Sequence, residues 1–133
     1  MKEPGPVKYP KRVAIVDDDQ QLLISLSGLL RSFGIDALTF RSAVEFLEAR
    51  PSSVDCLVAD VHMPGMNGLE MIEKLRKDGE TLPIIVLSAL DPEATRNEAL
   101  ARGANAYFAK PVDSDELMKC MARITNSGSI NGD

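Results

Sequence analysis

Five short apolar runs recur along the chain, and each is followed by a segment in which apolar residues have helical spacing. The runs are RVAIV (12–16), DALTF (36–40), CLVAD (56–60), PIIVLS (83–88) and AYFAK (106–110). Four of them are almost continuously apolar, which is typical of strands buried on both faces of a sheet. Strands that alternate with helices predict parallel pairing and right-handed crossovers. The sequence therefore predicts an α/β fold, a (βα)5 doubly wound five-stranded parallel sheet.

Helix-start signals mark the segments between these runs. Asp19 is placed to cap the first helix. SAVE (42–45) and NGLE (67–70) have the spacing of capping boxes, and DSDE (113–116) begins the last helix. The fourth helix, about 92–102, has the weakest apolar face, which suggests either a movable element or a weakly packed surface helix.

Length and charge limit the function classes. A chain of 133 residues suits one domain, and its net charge of −5 argues against general nucleic-acid binding, although a local basic patch remains compatible with it. No apolar run approaches the roughly 20 residues that span a bilayer, and the first twelve residues lack the apolar core of a secretory signal. We therefore expect a cytoplasmic protein with no membrane contact. Cys56 and Cys120 both lie among apolar residues, which predicts buried thiols.

Polar side chains end four of the five predicted strands. Asp17 and Asp18 follow the first strand, Asp60 ends the third, Ser88 the fourth and Lys110 the fifth. Ligand sites in open parallel sheets lie at the carboxyl ends of the strands. We therefore expect three carboxylates, a hydroxyl and an ammonium group to converge on one edge.

This set of groups suits phosphoryl transfer. Each close pair of carboxylates costs roughly 4 kcal/mol of repulsion at a surface-like dielectric, which a hard divalent cation with oxygen ligands would relieve. A lysine adds a point charge for a phosphoryl group, and a serine hydroxyl can donate one hydrogen bond to it. A single aspartate after a strand is more often a helix cap, so the interpretation rests on the whole constellation. His62, the only histidine, is expected to be structural or exposed.

Four stretches carry a resemblance to a known family: VAIVDDD, LVADVHMPGMNGLEM, IIVLSA and GANAYFAKP. Together they cover about residues 12–124, and the sequence resembles the CheY-like receiver domains of two-component response regulators. The resemblance implies a flavodoxin-like strand order of 2-1-3-4-5. It also implies a receiver domain at 12–124, between an N-terminal extension (1–11) and a polar C-terminal tail (125–133).

The resemblance also implies residue roles around a metal ion. Asp60 would be the phosphoacceptor. Asp18, Asp60 and the backbone carbonyl of His62 would ligate Mg2+, for which Mn2+ can substitute, and Asp17 would act mainly through a metal-bound water.

Three further residues are implied to bind the phosphoryl group or respond to it. Lys110 would pair with the phosphoryl oxygens, and its bond to Pro111 would be cis. Ser88 would follow the phosphoryl group, and Tyr107 would be the aromatic switch. The surface formed by helix 4, strand 5 and helix 5 would then change shape.

The implied partners lie on both sides of this phosphorylation. A sensor histidine kinase or histidine phosphotransfer protein would donate the phosphoryl group, and a downstream protein partner or a missing output domain would receive the signal. DNA binding would belong to that output domain. The chain would not be an enzyme in the usual sense, but a phosphoacceptor that assists its own phosphotransfer and dephosphorylation.

The sequence is also compatible in part with other classes of protein. FRSAVEFL (40–47) resembles receivers joined to DNA-binding domains, so the chain could be a receiver fragment of a longer regulator. A phosphorylation-independent interaction module also fits the fold. A haloacid-dehalogenase-type phosphatase would need a threonine that DDDQQ lacks, and nucleotide binding would need a Gly-rich loop after strand 1. A calcium loop at 60–70 is disfavoured, since His62 and Pro64 occupy ligand positions.

Overall fold

Strands and helices alternate through residues 7–89 and 92–130, the part of the chain that the computed structural model describes. The strands are β1 (Arg12–Val16), β2 (Asp36–Phe40), β3 (Cys56–Asp60), β4 (Ile84–Ser88) and β5 (Ala106–Ala109). The helices are α1 (Gln20–Ser32), α2 (Ala43–Ala49), α3 (Gly68–Lys77), α4 (Pro92–Arg102) and α5 (Ser114–Ile130). Neighbouring strands all pair in parallel, in the order β2-β1-β3-β4-β5. The predicted fold class and strand order are confirmed.

The sheet carries one hydrophobic cluster on each face, because successive side chains of a strand point to opposite faces. Val13 and Ile15 of β1 pack in a cluster with α1 and α5. Ala14 and Val16 pack in the other cluster, with α2, α3 and the Ala99 side chain of α4. Both faces of the sheet are therefore covered by helices, and only its edges remain open for a site.

The helix starts follow the sequence signals. Asp19 caps α1, and its carboxylate accepts hydrogen bonds from two backbone N–H groups of the first turn. Asn67 and Glu70 form the predicted reciprocal capping box of α3, with both bonds at 2.9 Å. Ser42 caps α2 by accepting from the backbone N–H of Glu45 at 3.1 Å. Because Asp19 caps α1, the carboxylates of Asp17 and Asp18 are not needed for this role.

The last helix is longer than the predicted domain. α5 continues to Ile130, past the predicted boundary at residue 124, and it runs through Gly128, a residue type that more often ends a helix. Its Asn126 amide donates to the backbone carbonyl of Lys8 at 3.0 Å, so the two ends of the described chain lie side by side. Residues 1–6 and 131–133 of the predicted extension and tail lie outside the described residues. The domain boundaries stay a prediction.

Two smaller expectations also have outcomes. Cys56 and Cys120 are buried free thiols, as predicted, and burial raises the pKa of each. Within the described helices, none combines the length and the apolar character needed to cross a bilayer.

Candidate functional site

Three carboxylates and one ammonium group meet at the carboxyl edge of the sheet. Carboxylate oxygens of Asp17, Asp18 and Asp60 all lie within 4.8 Å of one another. The Lys110 Nζ lies 2.9 Å from Asp17 Oδ2 and 3.1 Å from Asp60 Oδ1. The Lys110–Pro111 peptide bond is cis. The structure thus brings together the strand-end residues expected from β1, β3 and β5.

Burial and neighbouring charges shift the pKa values of Asp60 and Lys110. Burial is the largest cause that raises the pKa of Asp60, and the nearby Asp17 raises it further, whereas Lys110 opposes both. Burial alone would lower the pKa of Lys110, but its hydrogen bonds to Asp17 and Asp60 outweigh burial and raise that pKa. The lysine therefore stays charged at neutral pH and compensates part of the acidic charge beside it.

Asp17 and Asp18 occupy different environments, although they are adjacent in sequence. Asp17 is 1% exposed, and its second oxygen accepts the backbone N–H of Asp19 at 2.9 Å. Asp18 is exposed and approaches the cluster from the solvent side. Asp17 is consequently held in one position, while Asp18 is accessible to an incoming ion.

The residues present fit a divalent metal ion. Three carboxylates face a single ammonium group, which leaves an excess of two negative charges when all three are ionised. Carboxylate oxygens are the ligands that Mg2+ prefers, and Mg2+ needs only one or two of them from the protein. The His62 side chain is exposed and does not belong to the acidic group.

Ser88 and Tyr107 lie on neighbouring strands, on the face covered by α4. Ser88 is fully buried at the end of β4, and its backbone carbonyl accepts the N–H of Lys110 at 2.8 Å. Tyr107 pairs in register with Val86, two residues before Ser88, so both side chains point to the same face. The Tyr107 hydroxyl is buried without a hydrogen-bond partner. Ser88 and Tyr107 therefore lie between the acidic edge of the sheet and the face that α4 covers.

Gly68 lies directly against the backbone of Asp60, a contact that the sequence pattern did not reveal. A Cβ built on Gly68 would overlap the backbone carbonyl oxygen of Asp60. The sequence pattern placed this glycine within a capping box, which accounts for the start of α3 but not for the residue type. A glycine in the first turn of a helix, where it is a poor helix former, was the available signal.

A doubly wound parallel sheet of order 2-1-3-4-5, with an acidic cluster and one lysine at its carboxyl edge, defines the CheY-like class of flavodoxin-like folds. The receiver domain of the Francisella response regulator 1452 has a TM-score of 0.84 at 28% identity, covering 89% of this chain and 98% of that one. A CheY-like receiver domain from Methanospirillum hungatei has a TM-score of 0.84 at 26% identity, covering 91% and 98%.

The sequence comparisons name the same family. Residues 13–122 match the model of the response regulator receiver domain. The response regulator TodT of Pseudomonas putida is 38% identical over 107 residues, covering 80% of this chain and 47% of that protein. The response regulator MprA of Mycobacterium ulcerans is 37% identical over 123 residues, covering 92% and 53%. The chain belongs to the response regulator receiver domain family, and it spans about half the length of these two relatives.

Proposed function

We propose that this receiver domain accepts a phosphoryl group on Asp60 from a phosphohistidine, with Mg2+ held at the same edge of the sheet. The proposed metal ligands are Asp18, Asp60 and the backbone carbonyl of His62, and Asp17 acts through a metal-bound water. One observation carries the proposal: the Asp60 carboxylate, 4% exposed, lies 3.1 Å from the Lys110 ammonium inside a cluster of carboxylates.

The chemistry asks little of the protein beyond position and charge. An Asp60 oxygen forms a bond to phosphorus while the bond from phosphorus to the donor imidazole breaks, which leaves an acyl phosphate on Asp60. Lys110, held in place by Asp17 at 2.9 Å, pairs with a phosphoryl oxygen. Bound Mg2+ supplies positive charge beside the phosphoryl oxygens.

The proposed output is a change at the α4–β5–α5 surface. Ser88 follows the phosphoryl group, and Tyr107 moves into the space that this opens. The position of both side chains on the α4 face supports a coupling between them. The step is a local charge event that biases an element with two arrangements.

The proposed partners follow from the family. A sensor histidine kinase or a histidine phosphotransfer protein donates the phosphoryl group. A downstream protein partner, or an output domain of a longer DNA-binding regulator, receives the signal. Relatives in which the matched region is only about half of the protein support the second possibility. We further propose residues 12–124 as the receiver domain and the cytoplasm as its location.

Covalent labelling tests the proposal. After incubation with acetyl phosphate and Mg2+, the intact mass of the wild type should increase by one phosphoryl group, and Asp60→Ala should show no increase because it lacks the nucleophile. Asp55→Asn is the matched control, since Asp55 lies just before the amino end of the same strand and its oxygen accepts the backbone N–H of Lys11.

Two results would contradict the proposal. Full labelling of Asp60→Ala would mean that another residue accepts the phosphoryl group. Labelling undiminished in EDTA would mean that the reaction needs no divalent metal ion. A wild type with no base-labile label at all would favour the phosphorylation-independent interaction module.

A further inference from the structure

We propose that Gly68 is a positioning residue for the Asp60 carboxylate. Because Gly68 has no side chain, the first turn of α3 can lie directly against the backbone of Asp60. This contact holds the acceptor and the loop of residues 61–67 in one arrangement. The inference rests on the proposed function, since it concerns the same site.

The atoms that crowd Gly68 all belong to the backbone. A Cβ at this position would overlap the Asp60 carbonyl oxygen, and it would lie 3.0 Å from the Asp60 carbonyl carbon and 3.2 Å from the Val61 Cα. Backbone atoms of a central strand cannot swing aside as the end of a flexible side chain can. Any larger residue must therefore separate the start of α3 from the end of β3 by about 1 Å to restore ordinary contact distances.

Gly68 differs in this respect from the other described glycines. Gly34 and Gly65 both have a φ of 79°, with nothing within 4 Å of a built Cβ, so they serve the backbone conformation. A Cβ on Gly103 would meet only the side chain of Arg76. Gly68 has no positive φ, so the close approach to Asp60 is the physical reason for a glycine at this position.

Hydrogen bonds fasten both ends of the same loop. The backbone N–H of Gly68 donates to the carbonyl of Val61 at 3.0 Å, and the N–H of Val61 donates to the carbonyl of Leu87 at 3.1 Å. The Asn67 capping box fixes the point where α3 begins. His62 lies between these anchors, so the position of its backbone carbonyl, a proposed metal ligand, depends on how closely α3 approaches β3.

Replacing Gly68 should therefore damage the site beyond any loss of stability. We expect Gly68→Ala to raise the dissociation constant for Mg2+, followed by amide chemical shifts, about tenfold or more. The initial rate of labelling by acetyl phosphate at saturating Mg2+ should fall about tenfold or more, since a 1 Å misplacement of reacting groups can cost on the order of a hundredfold.

A core variant separates positioning from stability. Leu75 is 1% exposed, two turns further along α3, and Leu75→Ala destabilises the fold without touching Asp60. Both variants should unfold more easily in EDTA than the wild type. Only Gly68→Ala should change the Mg2+ dissociation constant and the labelling rate, measured at a temperature where both variants remain folded.

A second pair of variants covers the case in which Gly68→Ala does not fold. Asn67→Ala removes the cap of α3 without creating a clash, and Ser42→Ala removes the equivalent cap of α2, away from the site. Asn67→Ala should weaken Mg2+ binding and slow labelling about twofold or more, because the start of α3 loosens. Ser42→Ala should change neither.

The possible outcomes distinguish the positioning role of Gly68 from the proposed function of the domain. Wild-type Mg2+ binding and labelling in Gly68→Ala, or equal losses in Gly68→Ala and Leu75→Ala, would overturn the positioning role and leave the proposed function intact. Equal effects of Asn67→Ala and Ser42→Ala would overturn it in the same way. An unlabelled wild type in which Gly68→Ala still weakens Mg2+ binding would overturn the proposed function alone. A wild type that binds no Mg2+ would overturn both.

Discussion

Lys110 separates two carboxylates that would otherwise repel each other across the end of the sheet. Its ammonium lies 2.9 Å from an Asp17 oxygen and 3.1 Å from an Asp60 oxygen. One positive charge cannot satisfy the three carboxylates of the cluster, so the metal-free site retains net repulsion. The clustered carboxylates therefore favour the binding of a cation but lower the stability of the metal-free fold.

The ionisation of Asp60 should make this conflict measurable. Its pKa is raised above 3.8 in the folded protein, chiefly by burial, so ionised Asp60 lowers the free energy of unfolding above the raised pKa. Below about 3.8 the carboxyl is protonated in both states and the effect vanishes.

We therefore expect Asp60→Asn in EDTA to be more stable than the wild type at pH 7. The stability difference should grow as the pH rises from about 3.8 through the raised pKa, and then level off. Chemical denaturation at a series of pH values measures it. A difference that is constant with pH, or a variant less stable than the wild type at pH 7, would contradict the prediction.

The Tyr107 hydroxyl has its own cost, because it is buried without a hydrogen-bond partner. Tyr107→Phe keeps the ring and removes that hydroxyl. We expect the free energy of unfolding to rise by about 1 kcal/mol. Tyr9→Phe is the control, since the Tyr9 hydroxyl is not among the buried unpartnered atoms of the described residues, and it should leave stability unchanged. A less stable Tyr107→Phe would mean that the hydroxyl contributes to folding.

At the scale of elements, α4 buries few of its described side chains. Of its described side chains, only Ala99 is buried. The segment just after the helix is held firmly, since the Arg76 guanidinium of α3 donates to the carbonyl of Gly103 at 2.9 and 3.1 Å and to the side chain of Asn105 at 3.0 Å. A helix with little buried surface can change its tilt at low cost.

We expect α4 to take part in the proposed switch. Beryllofluoride stands in for the phosphoryl group, and in the wild type it should shift amide resonances of α4, β5 and α5. Ser88→Ala should still bind it, because Asp60 and the acidic cluster remain, but the shifts around Tyr107 should be largely lost. Both spectra are recorded with Mg2+. A full wild-type shift pattern in Ser88→Ala would contradict the coupling.

For the whole molecule, periodicity predicted the alternation of strands and helices, whereas the strand order came from the family resemblance. The five apolar runs matched the strands to within one residue, because strands buried on both faces leave a continuous apolar signal. The end of α5 was not predicted, since the helix continues through polar residues that include Gly128, a residue type that usually indicates a helix end.

The meeting of Asp17, Asp60 and Lys110 also followed from topology, because parallel strands end at one edge. The close approach of Gly68 to Asp60 could not be predicted in this way. It depends on the distance between a helix and a strand, which no repeating pattern in the sequence encodes.

Melting curves test the metal site on the whole molecule. Mg2+ at ten times its dissociation constant should stabilise the wild type by about 1.4 kcal/mol, which raises Tm by several degrees in a domain of this size. Asp18→Asn should melt higher than the wild type in EDTA, because one like charge is gone, and should lose most of the Mg2+ response. Asp19→Asn should keep the response, since Asp19 caps α1. Equal Mg2+ responses in the wild type and Asp18→Asn would argue against a metal site here.

The hydrogen bond between Asn126 and Lys8 has an architectural consequence. It brings the two ends of the described chain together at the amino edge of the sheet, whereas the acidic cluster lies at the carboxyl edge. Neighbouring termini are the condition under which a domain tolerates circular permutation or insertion into another protein. Such a domain can be joined to a host protein at an end or within a loop, and its acidic cluster would still face away from the junction.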